Sequence, residues 1–338
     1  MKKVILGLSV LSLFLSSCNY ESKQIDPLTN DSSILTTKKN ELTDMVDKKN
    51  LETNMSILSG YKTDSPTRIS ERGSVKGRES TKMFITEYLT SLGYKVERHK
   101  YRTNGENIIA KLPAEVATDE HILLGAHLDS VSNPGADDNA SGTVAVLETA
   151  RVLKELKGRK VNIIFAWFDE EELGLIGSNY LAKDYKKQGL KLTSAHTADM
   201  IGYDSDKDKV IEIEQPDGNL WDVYNQANKS HGLNYKLVRT SSGQTDHESF
   251  REYGFNSVGL CEEWVGKDTT PQYHKKTDTY ETLSFDMIEA STKLMIAVAS
   301  DLTQKVVVKS PTKFIPHSNF PKKERHFHYK GFSDLDNH

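Results

Sequence analysis

The chain has 338 residues, a formal net charge of −4 at pH 7 and a hydrophobic content of 36%. This length accommodates one large domain or two small ones, and the slight acidic excess excludes the basic surface typical of a nucleic-acid-binding protein. The composition therefore predicts a soluble globular body with no nucleic-acid partner, and it leaves the chemistry open.

The first residues are typical of an export signal. Two lysines precede an apolar run over residues 4–15, which is too short to span a bilayer but fits the core of a signal peptide. The run leads into Leu15-Ser-Ser-Cys18, which resembles the lipobox of bacterial lipoproteins. This resemblance implies that residues 1–17 are a signal peptide and that Cys18 becomes lipid-modified. A plain secretory signal with an incidental cysteine is the alternative, and either reading predicts export. With the lipid, the protein is anchored to the cell envelope on its periplasmic or extracellular face.

Composition divides the rest of the chain. Residues 18–38 are rich in Ser, Thr, Asn, Asp and Lys, which predicts a flexible tether, and residues 39–304 form the predicted folded domain. Residues 305–338 hold seven Lys and Arg, three Asp and Glu and four His, and we interpret them as a basic tail with solvated histidines. The second cysteine, Cys261, follows an apolar run and is predicted to be a small buried side chain.

Within the folded domain, helical and strand-like periodicities alternate. Helices are predicted at residues 39–58, 79–92, 140–156, 173–185, 219–230, directly after Asp246 and at 284–302; strands are predicted at 94–101, 107–112, from Ile122, at 161–168, up to Asp199, and at 209–214, 235–238 and 257–260. This alternation predicts an α/β fold: a three-layer α/β/α sandwich around a mixed, mostly parallel sheet.

The apolar run that starts at Ile122 leads into a polar loop with His127, Asp129 and Asp138. Ligands of open α/β sheets bind outside the carboxyl ends of the strands, and imidazole with carboxylate is a donor set that zinc accepts. Asp129, two residues after His127, can hold the second imidazole N–H. A solvated loop is the alternative for this segment taken alone.

Further acids and a second imidazole follow other predicted strands. The strand 161–168 is followed by one aspartate and three glutamates, where one glutamate can bind metal while its neighbour acts as a general base. Asp199 ends another strand and His274 comes late in the chain. Taken singly, each is more often structural. Taken together, two imidazoles and three carboxylates are the ligand inventory of a two-metal hydrolytic site.

Six segments in a fixed order make a resemblance specific. They are Gly125-Ala-His-Leu-Asp-Ser, Pro134-Gly-Ala-Asp-Asp-Asn-Ala-Ser-Gly, Glu171-Glu-Leu-Gly-Leu-Ile-Gly-Ser, Asp199-Met-Ile-Gly, Thr245-Asp-His and Tyr273-His with Asp278-Thr. From about residue 39 to residue 302, the chain resembles the M28 family of zinc aminopeptidases. The resemblance implies a sandwich of the zinc-dependent exopeptidase type.

The resemblance also implies two zinc ions per chain. His127 and Asp199 would hold one, Glu172 and His274 the other, and Asp138 would bridge them. The family has a cis peptide bond after the bridging aspartate.

The remaining site residues follow from the same resemblance. Glu171 corresponds to the general base that takes a proton from a metal-activated water, and the Tyr273 hydroxyl is expected to help stabilise the oxyanion. Asp129 and Asp246 are expected to contact and orient the metal ligands without binding metal themselves. Two neighbouring acids receive no role: Asp137 is expected to be a loop residue and Glu170 to be solvated.

These residues predict an exported aminopeptidase that hydrolyses peptides with a free N-terminus. A one-zinc glutaminyl cyclase of the same fold is the first alternative, and a surface binding module that has lost catalysis is the second. The preferred N-terminal residue and the oligomeric state stay open.

Overall fold

A computed structural model describes residues 41–61 and 68–305. The predicted signal peptide, the lipid on Cys18, the tether and all of the tail beyond residue 305 lie outside the described residues. Among the helices that are described, none is both long and apolar enough to cross a membrane.

The described part of the chain contains seven α-helices with defined bounds and eight strands, besides a helical stretch at residues 41–44 and a short 3-10 helix at Tyr280–Thr282. The helices are α1 (Lys48–Leu58), α2 (Val75–Ser91), α3 (Gly142–Leu153), α4 (Ile176–Gln188), α5 (Leu220–Ser230), α6 (His247–Glu252) and α7 (Phe285–Thr303). The strands are β1 (Val96–Arg102), β2 (Gly105–Leu112), β3 (Glu120–His127), β4 (Asn162–Phe168), β5 (Lys191–Ala198), β6 (Ile211–Glu214), β7 (Leu237–Thr240) and β8 (Ser257–Cys261).

Local hydrogen bonds explain where the observed helices differ from the predicted ones. The helix predicted from residue 39 is interrupted, because the Asp47 side chain accepts hydrogen bonds from the first backbone N–H groups of α1. Helix α2 begins four residues earlier than predicted, with Ser74 as its N-cap. Helix α4 begins three residues later than predicted, because the carbonyl of Glu171 accepts the N–H groups of Gly174 and Leu175 in a separate turn.

All eight strands form one sheet in the order β1-β2-β4-β3-β5-β8-β6-β7. The four central strands β4, β3, β5 and β8 run parallel, and antiparallel pairs lie toward both edges. Alternate residues of β3 face opposite sides, since Ile122 and Leu124 pack into one hydrophobic cluster and Leu123 into another. Helices cover both faces, so the predicted α/β/α sandwich is confirmed.

The parallel centre of the sheet determines where the site forms. Because β4, β3, β5 and β8 point the same way, the segments that follow them meet at one edge. Every residue predicted to bind metal follows, or ends, one of these strands.

Candidate metal centre

Five side chains converge at this edge. His127 is the last residue of β3, Asp199 comes directly after β5, and Glu172 lies in the turn after β4. Asp138 lies at a kink in the turn over Ala136–Ser141, with non-helical backbone angles (φ −101°, ψ 91°), and His274 lies in the long segment after β8. Residues distant in sequence are therefore brought to one place.

The five side chains form two sets that share Asp138. In the first set, His127 Nε2 lies 3.3 Å from Asp138 Oδ1 and 3.3 Å from Asp199 Oδ1. In the second, His274 Nε2 lies 3.2 Å from Asp138 Oδ2 and 3.0 Å from Glu172 Oε2. The two oxygens of Asp138 thus face different imidazoles.

These separations suit zinc. Ligand atoms bound at about 2.0 to 2.1 Å in a tetrahedron lie about 3.3 Å apart, and neutral imidazole with carboxylate is a donor set zinc accepts. Each set offers three donor groups, which leaves a position for water or substrate on each ion. The residues present therefore fit two zinc ions bridged by Asp138, although their role as ligands stays a prediction.

The electrostatics of the site also favour bound cations. Burial, followed by the charge of Asp138, raises the pKa of Glu172 to about 7. Burial alone would lower the pKa of His274, but hydrogen bonds with Asp138 and Glu172 outweigh it and raise that pKa to about 10. Crowded carboxylates are costly to ionise, and divalent cations among them offset that cost.

Asp129 joins the metal set to the turn after β4. Its two carboxylate oxygens accept the backbone N–H groups of Glu171 and Glu172 at 3.1 and 3.2 Å. One of these oxygens also lies 3.3 Å from His127 Nδ1. One buried carboxylate therefore orients a predicted ligand and the predicted base together, as an outer-shell residue does.

Glu171 stands beside the first set. Its Oε2 is 4.0 Å from His127 Nε2, farther than the carboxylate oxygens of Asp138 and Asp199. Burial raises the pKa of Glu171 well above its usual value; the charge of His127 opposes this shift and those of Glu172 and Asp199 add to it. Glu171 therefore lies beside the predicted ligands without being as close as they are to one another, and its raised pKa suits a group that accepts and returns a proton.

The other two predicted site residues lie near the centre without joining either set. Tyr273 stacks on the His274 ring at 3.8 Å and meets Trp264 edge to face at 5.2 Å. Asp246 is buried immediately before α6, where burial raises its pKa to about 7 and Ser178 hydrogen-bonds with it. The structure thus places Tyr273 at the open rim and Asp246 behind the site.

The structure buries Asp137 in the kinked turn: it is only 1% exposed and accepts the N–H of Gly202. The expectation that Glu170 is solvated is wrong. Glu170, also 1% exposed, is bound by Arg78 and Arg102, with N–O distances of 3.1 and 2.7 Å. The cations come from α2 and β1, which local sequence around Glu170 cannot show.

Two residues that sequence reasoning missed hold the loop around Asp138. The carboxylate of Asp278 accepts the backbone N–H groups of Asp137 and Asp138 at 2.8 and 3.1 Å. The peptide bond between Asp138 and Asn139 is cis, as the resemblance implies. Asp278 stands in the last of the six segments, which was its only signal.

The second missed residue, Arg72, is fully buried and carries no sequence signal. Its guanidinium donates hydrogen bonds to the carbonyls of Leu58, Leu128, Pro134 and Gly135, at 2.6 to 3.0 Å. It therefore fixes both ends of the loop between β3 and the bridging aspartate.

Arg72→Met is expected to lower the free energy of unfolding by about 3 kcal/mol or more, because several buried carbonyls lose their charged donor. Chemical denaturation measures this change. Arg68→Met, at an exposed position four residues earlier, is the control and should change stability by no more than about 0.5 kcal/mol. Equal stability of the two variants would contradict the role of Arg72.

A cavity adjoins the two sets on the side of β6 and β8. Its lining includes Asp138, Glu171, Glu172, Asp199, Met200, Glu214, Ser242, Gln244, Thr245, Cys261, Trp264, Tyr273 and His274. A molecule bound in it would touch both the predicted base and the predicted ligands.

An α/β/α sandwich with paired imidazole–carboxylate sets at the carboxyl edge of its sheet defines the class of zinc-dependent exopeptidase folds. The sequence pattern of peptidase family M28 matches residues 107–299, more than half of the chain. The chain therefore belongs to peptidase family M28, and the predicted membership is confirmed.

Individual relatives share parts of the sequence or the fold. Leucine aminopeptidase 1 of Coccidioides posadasii is 31% identical over 229 residues, 62% of this chain and 58% of the relative. The chain thus spans less than two thirds of that curated relative.

Solved structures share the fold at lower identity. A zinc aminopeptidase from Bacillus subtilis matches with a TM-score of 0.69 and 17% identity, over 78% of this chain and 97% of that one. Porphyromonas gingivalis glutaminyl cyclase matches with a TM-score of 0.63 and 18% identity, over 76% and 99%. Enzymes of both predicted activities therefore share this architecture.

Proposed function

We propose that this protein is a two-zinc aminopeptidase that removes N-terminal residues from peptides. The observation that carries the proposal is the position of Asp138, whose two carboxylate oxygens each lie within 3.3 Å of a different imidazole nitrogen. One residue placed in this way can bridge two ions, which a one-zinc site does not require.

Zinc bound in the two sets would acidify a water and polarise the scissile carbonyl. The carboxylate of Glu171 would accept the proton of that water and pass it to the nitrogen of the departing peptide. The Tyr273 hydroxyl, at the rim of the cavity, would donate a hydrogen bond to the oxyanion. Asp129 contacts both His127 and the backbone N–H of Glu171, so it would keep these two residues in position while the proton moves to and from Glu171.

A free N-terminus suits the charge of the cavity. Besides the predicted ligands, its wall carries the carboxylates of Glu171 and Glu214, which belong to neither set and would keep their charge with zinc bound. A protonated α-amine placed there would be attracted by these charges, whereas the neutral amide of an internal residue gains much less from them. This difference favours cleavage of the first peptide bond.

The proposed setting is the cell envelope. Export, with a lipid on Cys18 as the membrane anchor, is supported by the amino-terminal sequence alone. Residues 18–38 would then space the domain from the membrane.

Removal of metal gives the direct test. Purified protein without residues 1–17 is expected to contain two zinc ions per chain, and a chelator should abolish the release of N-terminal amino acids from peptides. Metal analysis and amino-acid release are measured on the same sample, and restored zinc should restore the release.

A peptide that begins with glutamine separates the two enzyme activities. An aminopeptidase liberates free glutamine, whereas a cyclase liberates ammonia and leaves a pyroglutamyl peptide. One zinc with ammonia alone would overturn the proposal in favour of the cyclase, and no zinc with no product would favour the binding module.

A further inference from the structure

The cavity beside the two sets has a wall that the proposed chemistry does not use. Away from the two sets its lining combines Met200, Cys261 and Trp264 with one acid, Glu214, and with the polar side chains of Ser242, Gln244 and Thr245. If the peptide bond lies against the two sets, this part of the cavity is next to it and can receive a side chain. Apolar walls suit an aliphatic stem.

Glu214 lies at the end of β6, beside a glycine of the neighbouring strand. It is the last residue of β6 and pairs with Gly259 of β8. A Cβ atom at position 259 would lie 2.6 Å from Glu214 Oε2 and 2.7 Å from His247 Nδ1, so the glycine gives both side chains room beside β8. The Glu214 side chain is thereby accommodated beside β8, where the residue lines the cavity.

The Glu214 carboxylate lacks a positive partner. The residue is 2% exposed; Ser242 hydrogen-bonds with its carboxylate, whereas its Oε2 accepts no hydrogen bond from any part of the chain that the structure describes. The charges that act on it most strongly, those of Asp199, Glu212 and Glu248, are all negative, and burial is the main reason that its pKa rises to about 8. A bound cation would compensate this buried acid.

We infer that this part of the cavity binds the side chain of the N-terminal residue, and that Glu214 pairs with the cationic end of lysine or arginine. The inference rests on the proposed aminopeptidase function, whose substrate class it specifies. The stem of a lysine would pack along Met200, Cys261 and Trp264 while its ammonium group reaches the free carboxylate oxygen. Leucine would leave that oxygen uncompensated.

The test compares p-nitroanilides of lysine and norleucine, which have the same straight stem with and without the ammonium group. The zinc-loaded wild-type protein should cleave the lysine compound with the higher kcat/KM. Glu214→Gln keeps the shape of the side chain and should lower kcat/KM for lysine about 30-fold or more, while norleucine changes less than about threefold. Zinc content should be unchanged.

Glu248→Gln is the matched control, because it removes a nearby negative charge from a side chain outside the cavity lining. It should leave the ratio of lysine to norleucine within about threefold of wild type. An equal loss of that ratio in both variants would overturn a direct contact of Glu214 with the substrate.

Binding of free L-lysine and L-norleucine to the zinc-loaded protein, measured by calorimetry, tests the inference without turnover. Tighter binding of lysine that Glu214→Gln abolishes supports it. Equal affinities, or equal cleavage of the two anilides by the wild type, would overturn it while leaving the aminopeptidase proposal intact. Failure to release any N-terminal residue would instead refute the proposed function, and the binding comparison would still decide the role of Glu214.

Discussion

Replacement of Glu171 by glutamine is expected to reduce kcat for aminoacyl p-nitroanilides about 10³-fold while both zinc ions stay bound. The amide keeps the size of the side chain and its place in the turn that Asp129 holds. It cannot accept a proton from water, so the step that generates the nucleophile is lost. Steady-state kinetics together with metal analysis of the same protein measure both effects.

The metal analysis matters because Glu171 has an alternative role. Its carboxylate, His127 and Glu172 lie close enough to hold an ion among themselves. If Glu171 were a ligand, the glutamine variant would lose zinc as well as activity. Glu171→Asp is the control: it retains a carboxylate at a shorter reach and should keep the metals and more activity than the glutamine variant. Full activity of Glu171→Gln would exclude proton transfer by this residue.

Much of the fold is predictable because its signals are local. Strand β3 is a continuous apolar run, and the periodicity of α7 marks a buried helix face, so both are visible without tertiary information. The bounds of α4 are less predictable, since the preceding turn depends on hydrogen bonds to the carbonyls of Glu170 and Glu171. Such turns follow tertiary contacts rather than propensity.

The site residues also divide into those with a local sequence signal and those without one. His127 and Asp199 could be singled out because one ends a strand and the other directly follows one, and residues at the carboxyl ends of parallel strands meet. Arg72 could not, because its carbonyl partners come from segments up to 63 residues away. Glu214 was missed for a related reason: its proposed role depends on a cavity lined by residues from several distant segments. Distant contacts of this kind leave no pattern in one sequence.

The positions of the two imidazoles predict different metal contents for different substitutions. His274 belongs to one set only, so His274→Ala is expected to lower the zinc content from two ions per chain to one. Asp138 has an oxygen in each set, at 3.3 Å from His127 Nε2 and 3.2 Å from His274 Nε2. Asp138→Ala is therefore expected to weaken the binding of both ions, and the zinc content should fall toward zero after dialysis.

Both variants should lose activity by about 10²-fold or more, because loss of either ion removes charge stabilisation that the reaction needs. Asp137→Asn is the matched control: the neighbouring side chain is equally buried but belongs to neither set, so both ions should remain. Zinc per chain, measured by mass spectrometry on dialysed protein, separates the cases. If Asp138→Ala and His274→Ala both retained one ion, Asp138 would serve a single metal, and the bridged pair on which the aminopeptidase proposal depends would have to be abandoned.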